Sequence, residues 1–323
     1  MAKPKIGFYW CAGCGGCDET VIDLADDLLK VAQAVDIVFW PVAMDFKQSD
    51  VEAMADGELA VTLINGAIRN DEQEYMAKLL RRKSRLIIAN GSCAHLGGVV
   101  GLANFSTKED ILNRVFKEIE TVKNPAGLLP QTETHEYGRD LDLPAFHNTA
   151  KPLNRVIDVD YYLPGCPTPP EYIKNSLDAV LQNKLPPKGT VFGEKKALCA
   201  FCDRAASKPD KIKIKKFKRL YETQWDSTKC FLDQDIICLG PVTRGNCGQR
   251  CINANMPCRS CFGPVDNVVD YGAKAISFLT SIIDSNDPEE LEKIAASIPD
   301  PGGLFYRYAL ADLLKKQTGT EKR

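Results

Sequence analysis

The sequence predicts an α/β protein. A flavodoxin-like, doubly wound parallel sheet is expected over residues 1–188, followed over 189–323 by a mostly irregular and helical, cysteine-rich domain. Three observations carry this reading. Short apolar runs alternate with helical patterns as far as residue 185, the rhythm of strand–helix–strand units. The segment LPPKG at 185–189 then interrupts that rhythm as a linker would. Beyond it, residues 195–264 hold eight of the thirteen cysteines and show little periodicity. A chain of 323 residues is long enough for two cores.

Taken in order, the apolar runs place strands at 6–10, 37–40, 59–64, 86–89 and 156–163. Helical patterns follow at 18–34, 48–55, 70–82, 108–122 and 169–182. The last of these is announced by Thr168 as N-cap and Pro169 at the first helical position. Residues 123–154 break the rhythm with Pro125, Pro130, Pro144 and Pro152, and read as an ordered surface excursion. The cysteine-rich stretch reads as a fold organised around metal sites rather than an apolar core. Amphipathic helices at 265–284, 287–298 and 303–316 close the chain. The run KIKIKKFKR at 211–219 alternates as an exposed edge strand would.

Composition narrows the function. A formal charge of −2 gives no basic excess for binding nucleic acid. No apolar run approaches the length of a membrane span, and the N-terminal residues show neither a signal peptide nor a twin-arginine motif. A cytoplasmic location is therefore expected. In that reducing compartment, clustered thiols point to metal binding rather than to disulfides.

Twelve cysteines sort into three sets of four. Cys14, Cys17, Cys93 and Cys166 each sit in a short Gly- or Pro-rich turn after a predicted strand. In open parallel sheets such turns converge at the carboxyl ends of the strands, so ligands distant in sequence are expected to meet there. Gly13, Gly15, Gly16, Gly91 and Gly165 permit the close backbone approach that a bulky group needs. Four thiolates is the ligand count of a cubane iron–sulfur cluster. A structural zinc site uses the same donors, and Cys14-x2-Cys17 alone also describes a thioredoxin-like redox pair. The second set is Cys199, Cys202, Cys230 and Cys238, and the third is Cys247, Cys251, Cys258 and Cys261. The three histidines, His95, His135 and His147, lie outside this region. All-thiolate coordination suits either metal, so local spacing leaves iron–sulfur and zinc both open for these two sets.

The runs WCAGCGGCDE, NGSCAHLGG and YLPGCPTPPEYI resemble the small subunit of nickel–iron hydrogenases. The later cysteine spacing matches too, so the resemblance covers essentially the whole chain. It implies a proximal 4Fe–4S cluster on Cys14, Cys17, Cys93 and Cys166, and a distal one on Cys199, Cys202, Cys230 and Cys238. It also implies a medial cluster on Cys247, Cys258 and Cys261. Periplasmic members place a histidine where Cys199 stands and lack a fourth medial ligand. Here Cys251 supplies one, so three full 4Fe–4S clusters are expected. The run IICLGPVTRGNCGQRCINANMPCRSCFGP at 236–264 is most similar to the gamma subunits of methyl-viologen-reducing hydrogenases. Small subunits of deazaflavin-reducing hydrogenases come next.

That likeness implies an electron-transfer role, with no catalysis by the lone chain. The implied partners are a nickel-binding large subunit, a 2Fe–2S adaptor subunit and heterodisulfide reductase. A freestanding iron–sulfur carrier and a zinc-stabilised scaffold are the competing readings. The related subunit of respiratory complex I has adjacent cysteines where this chain has Cys14-Gly-Gly-Cys17, and lacks the eight-cysteine module. Of the remaining features, Cys11 reads as a packed hydrophobe and His95 as a structural residue or a donor to cluster sulfur. Asp18 and Glu19 read as helix-start acids or as groups guiding protons. Trp10 and Trp225 read as packing or as lining for an electron path.

Overall fold

The computed structural model of the protein describes residues 3–313. Its strands are β1 (Lys5–Trp10), β2 (Asp36–Phe39), β3 (Leu59–Asn65), β4 (Ile68–Asn70), β5 (Ser84–Asn90), β6 (Glu133–Glu136), β7 (Arg139–Asp142), β8 (Phe146–Lys151) and β9 (Tyr161–Leu163). The main sheet runs β2-β1-β3-β5-β9 with every pair parallel. This is the flavodoxin strand order, as expected.

The central strand β3 is buried along almost its whole length, because helices cover both faces of the sheet. On one face Ile6, Phe8, Val61, Leu63 and Ile88 pack with Val21, Val31, Ile173 and Leu177. These last four lie on the helices Gly16–Ile22, Asp26–Ala34 and Pro170–Leu181. On the other face Ile64, Ile87 and Ala89 meet Met76, Leu79 and Leu80 of the helix Asp71–Lys83. Alternation along each strand thus serves two layers of core.

Several elements differ from expectation. The helical pattern at 18–34 is two helices, separated at Ala25, whose φ is 49°. The stretch 123–154 contains the hairpin β6–β7 and the strand β8, which pairs with β4. Of the run 156–163, only Tyr161–Leu163 is strand, since Val156 and Ile157 donate to Leu153 in a local turn. Pro169, not Thr168, is the N-cap of the helix that begins at Pro170. The lysine-rich run at 211–219 forms isolated bridges at Ile214 and Lys218, with Ile214 and Phe217 buried. Of the closing helix expected at 303–316, residues 301–305 and 310–313 are helical with a turn between them, and 314–316 lie outside the described residues.

The cysteine-rich half also departs from its reading. It does hold an apolar core: Phe231, Leu232, Ile236, Leu239 and Val242 pack against Ala275, Leu279, Leu304 and Phe305. The closing helices supply six of its nineteen buried residues.

Candidate metal centres

Three parallel strands deliver the first set of thiols to one edge. β1 leads through Cys14 into the helix Gly16–Ile22, which carries Cys17. β5 runs straight into the helix Gly91–Leu96, which carries Cys93. Cys166 follows β9 and precedes the helix Pro170–Leu181. The four thiols lie within electrostatic reach of one another: Cys17 with Cys93 and Cys166, and Cys14 with the same two. Burial pushes the Cys17 thiol up to about 12 and that of Cys93 up to about 11. Backbone N–H groups aimed at the sulfurs oppose that rise, from Thr168 onto Cys17 and from Val99 and Val100 onto Cys93. Such donors stabilise a thiolate over a thiol.

The backbone comes very close to these sulfurs. A Cβ on Gly91, at φ 88°, would overlap the Cys17 sulfur. One on Gly98, at φ 56°, would stand 2.5 Å from that of Cys93. Gly91→Ala is therefore expected to displace Cys17 and strain the turn by about 1–3 kcal/mol. About four irons per chain would be lost if this set binds a cubane. Unchanged iron in the purified variant would refute that.

Buried polar side chains that the sequence did not single out brace the turn. Asn65 and Asn90 face each other in the β3–β5 register. The Asn65 amide donates to Asp18 Oδ2 at 2.6 Å, the Trp40 indole to Asp18 Oδ1 at 3.2 Å, and the Asn90 amide to the Cys17 carbonyl at 3.2 Å. Asp18 is thus a structural acceptor, and burial raises its pKa against those two hydrogen bonds. Glu19 is exposed beside it. A Cβ at Gly15 would lie 3.3 Å from the Trp10 indole, which places that ring against the turn. Cys11 is buried in the core with Phe39 and Ile64, matching its reading as a packed hydrophobe. His95 packs on Tyr162, with ring centroids 4.6 Å apart, and burial pushes its pKa down to about 4. Trp225 packs on Phe231.

The second set lines one small cavity, of about 20 Å³. Cys199, Cys202, Cys230 and Cys238 stand around it with Phe231, Arg204 and Gly240. Burial pushes Cys199 up to about 11 and Cys238 up to about 12. N–H groups of Arg204 and Ala205 point at Cys202, and those of Gly240 and Cys258 at Cys238. In the third set, Cys261 lies within reach of both Cys247 and Cys251, and Cys258 within reach of Cys261. Cys251 is exposed.

The third set also touches the other two. The Cys258 N–H donates to the Cys238 sulfur at 3.4 Å. The Cys166 N–H lies within reach of the Cys261 sulfur. The order in space is therefore first, third, second.

The donor set fits a cubane. Each group offers four thiols, N–H donors to sulfur and, at the first and second sets, glycines that leave room. Among the described residues, no group of three or more His, Cys, Asp or Glu side chains is placed to hold a metal ion. The thiols of the second set line a shared cavity. Cys14 and Cys17 meet Cys93 and Cys166, so they are not an isolated dithiol pair.

Residues 14–180 match the family model described as NADH ubiquinone oxidoreductase, 20 Kd subunit. The chain is 38% identical to the iron-sulfur subunit of an F420-non-reducing hydrogenase from Archaeoglobus profundus, over 95% of this chain and 96% of that one. It is 34% identical to a vhu subunit of the F420-non-reducing hydrogenase of Methanocaldococcus jannaschii, over 96% of each. In fold it is similar to a chain of the recombinant [NiFeSe] hydrogenase from Desulfovibrio vulgaris Hildenborough, with a TM-score of 0.53. That match has 15% identity and covers 83% of this chain and 95% of that one.

Proposed function

This chain belongs to the NADH ubiquinone oxidoreductase 20 Kd subunit family and, over nearly its whole length, to the small subunits of F420-non-reducing hydrogenases, and on that footing we propose that it carries electrons from H2, oxidised at a nickel-binding large subunit, across three 4Fe–4S clusters to a 2Fe–2S adaptor and heterodisulfide reductase. The observation that carries the reading is the contact of the third thiol set with both others. Clusters held there would each take up and release one electron at a time. Cys14, Cys17, Cys93 and Cys166 hold the entry site, Cys247, Cys251, Cys258 and Cys261 the middle, and Cys199, Cys202, Cys230 and Cys238 the exit.

This chain's own groups shape those sites. The N–H donors onto Cys17, Cys93 and Cys238 stabilise the thiolate form in a buried setting. Four thiolates at the middle site keep its potential low, which suits a low-potential acceptor. Cys14 and Cys166 are exposed at the entry site, and Trp10, Val99 and Phe105 present apolar surface, which supports that edge as the face the large subunit covers. The boundary proposed between the two units stays at residues 188 and 189. Among the described residues, no helix is long and apolar enough to cross a membrane, and we place the protein in the cytoplasm.

Metal analysis of the native, anaerobically purified assembly tests this. About twelve irons per copy of this chain, after subtraction of its partners' share, with nickel on a co-purifying large subunit, is the expected result. Zinc in place of iron would overturn the electron-transfer reading. Iron with no large subunit would leave a freestanding carrier.

A further inference from the structure

Ser92 is 2% exposed and stands between Gly91 and the first-set ligand Cys93. Its N–H donates to the Gly165 carbonyl at 2.7 Å, in the residue just before Cys166. Its hydroxyl lies 2.8 Å from that same carbonyl and also bonds to the carbonyl of Cys261. A serine hydroxyl has one proton to donate. Gly165 is already satisfied by the amide, so the proton belongs to Cys261. The Cys166 N–H lies within reach of the Cys261 sulfur. Cys261 is thus held at its carbonyl by the residue next to one first-set thiol, while its own thiol lies beside another.

Attachment of the two halves does not depend on this contact. The Tyr172 hydroxyl donates to the Asn246 carbonyl at 2.7 Å, and its ring packs edge-on against Phe262 at 5.5 Å. Arg155 pairs with Asp312 at 2.7 Å. What Ser92 adds is local: it ties the backbone of Cys93, Gly165 and Cys261 to one point.

We propose that Ser92 is a positioning residue that fixes the gap between the first and third thiol sets. The proposal rests on the reading that both sets hold iron–sulfur clusters. An electron lost at one set is gained at the other, with no further reactant, so the separation is what the side chain controls.

The test uses the assembled, anaerobically purified complex carrying Ser92→Ala or Ser92→Thr, with iron and sulfide content and the EPR spin–spin interaction between the two reduced clusters as readouts. Alanine should keep the iron and weaken the interaction by roughly a fifth, as for a site left about 1 Å too loose. Threonine, which keeps the hydroxyl, should restore it. Iron lost with alanine but kept with threonine would support the same conclusion. An interaction unchanged in the alanine variant would overturn it, as would equal loss of iron in both, which would make Ser92 a packing residue. A wild-type complex without clusters would overturn the functional reading as well, a result distinct from an alanine variant that matches wild type.

Discussion

Replacing Cys251 by proline or alanine is expected to convert the middle site from a four-iron to a three-iron centre. Cys251 lies in the short helix Arg250–Asn253, within reach of Cys261, and is the exposed member of its set. At the second helical position its N–H needs no intrahelical partner, so proline removes the sulfur without breaking the helix. Alanine does so without restricting Arg250, the residue before it. The oxidised variant complex should show a three-iron EPR signal and lose about one iron per chain. With the fourth iron and its thiolate both absent, the potential of the site should rise. A rise of about 60 mV at a one-electron centre shifts its equilibrium tenfold, so H2-driven reduction of a low-potential acceptor should fall by at least that factor. A variant that keeps its cluster type and iron content would remove Cys251 from the ligand set.

Stripping iron from the protein is expected to loosen one half and spare the other. The sheet is held by apolar layers on both faces, with Leu59, Ile64, Ile87 and Ile88 at 0% exposure. It contains no ligand thiol within its strands. Residues 199–261 instead gather eight thiols, several driven upward in pKa by burial. Without a positive centre these remain neutral and hold nothing together, whereas metal binding supplies folding free energy directly. Amide hydrogen exchange on the stripped protein should show β3 and β5 still protected. Peptides from 199–261 should lose protection by at least about tenfold, a change of ~1.4 kcal/mol or more. Equal protection in both halves would mean that the apolar core around Phe231 and Leu239 suffices there.

That core marks where sequence reading ran short. Outside the closing helices its residues lie on brief 3-10 turns and in loops, which leave no period of two or 3.6 to detect. The sheet was legible for the opposite reason: strands buried on both faces leave unbroken apolar runs, and β1, β3 and β5 were found within two residues of their ends. The hairpin β6–β7 escaped because its residues are exposed throughout, so no face alternates. Its one signal was the pair Tyr137-Gly138, whose φ values of 52° and 71° suit a tight hairpin turn.

The candidate sites divide in the same way. Grouping the cysteines in fours followed from spacing and from turns after strands, and in space Cys14 and Cys17 meet Cys93 and Cys166 across 76 to 152 residues of chain. The supporting residues were not legible. Asn65 and Asn90 become partners of the first turn only through the β3–β5 register. Ser92 looks like any residue of a Gly-Ser-Cys turn until Cys261 is placed against it. The spatial order of the sets could not be read from spacing and came only from the family resemblance; in the structure it rests on Cys166 lying near Cys261 and on Cys258 meeting Cys238.

The last set in the chain lies between the first two. A ribosome therefore supplies every thiol of the two outer sets before it makes those that join them. On the proposed reading, a polypeptide ending short of Cys247 lacks both the middle of the line and the Cys258 N–H that braces Cys238, so loss from the carboxyl end severs the line at its centre instead of shortening it.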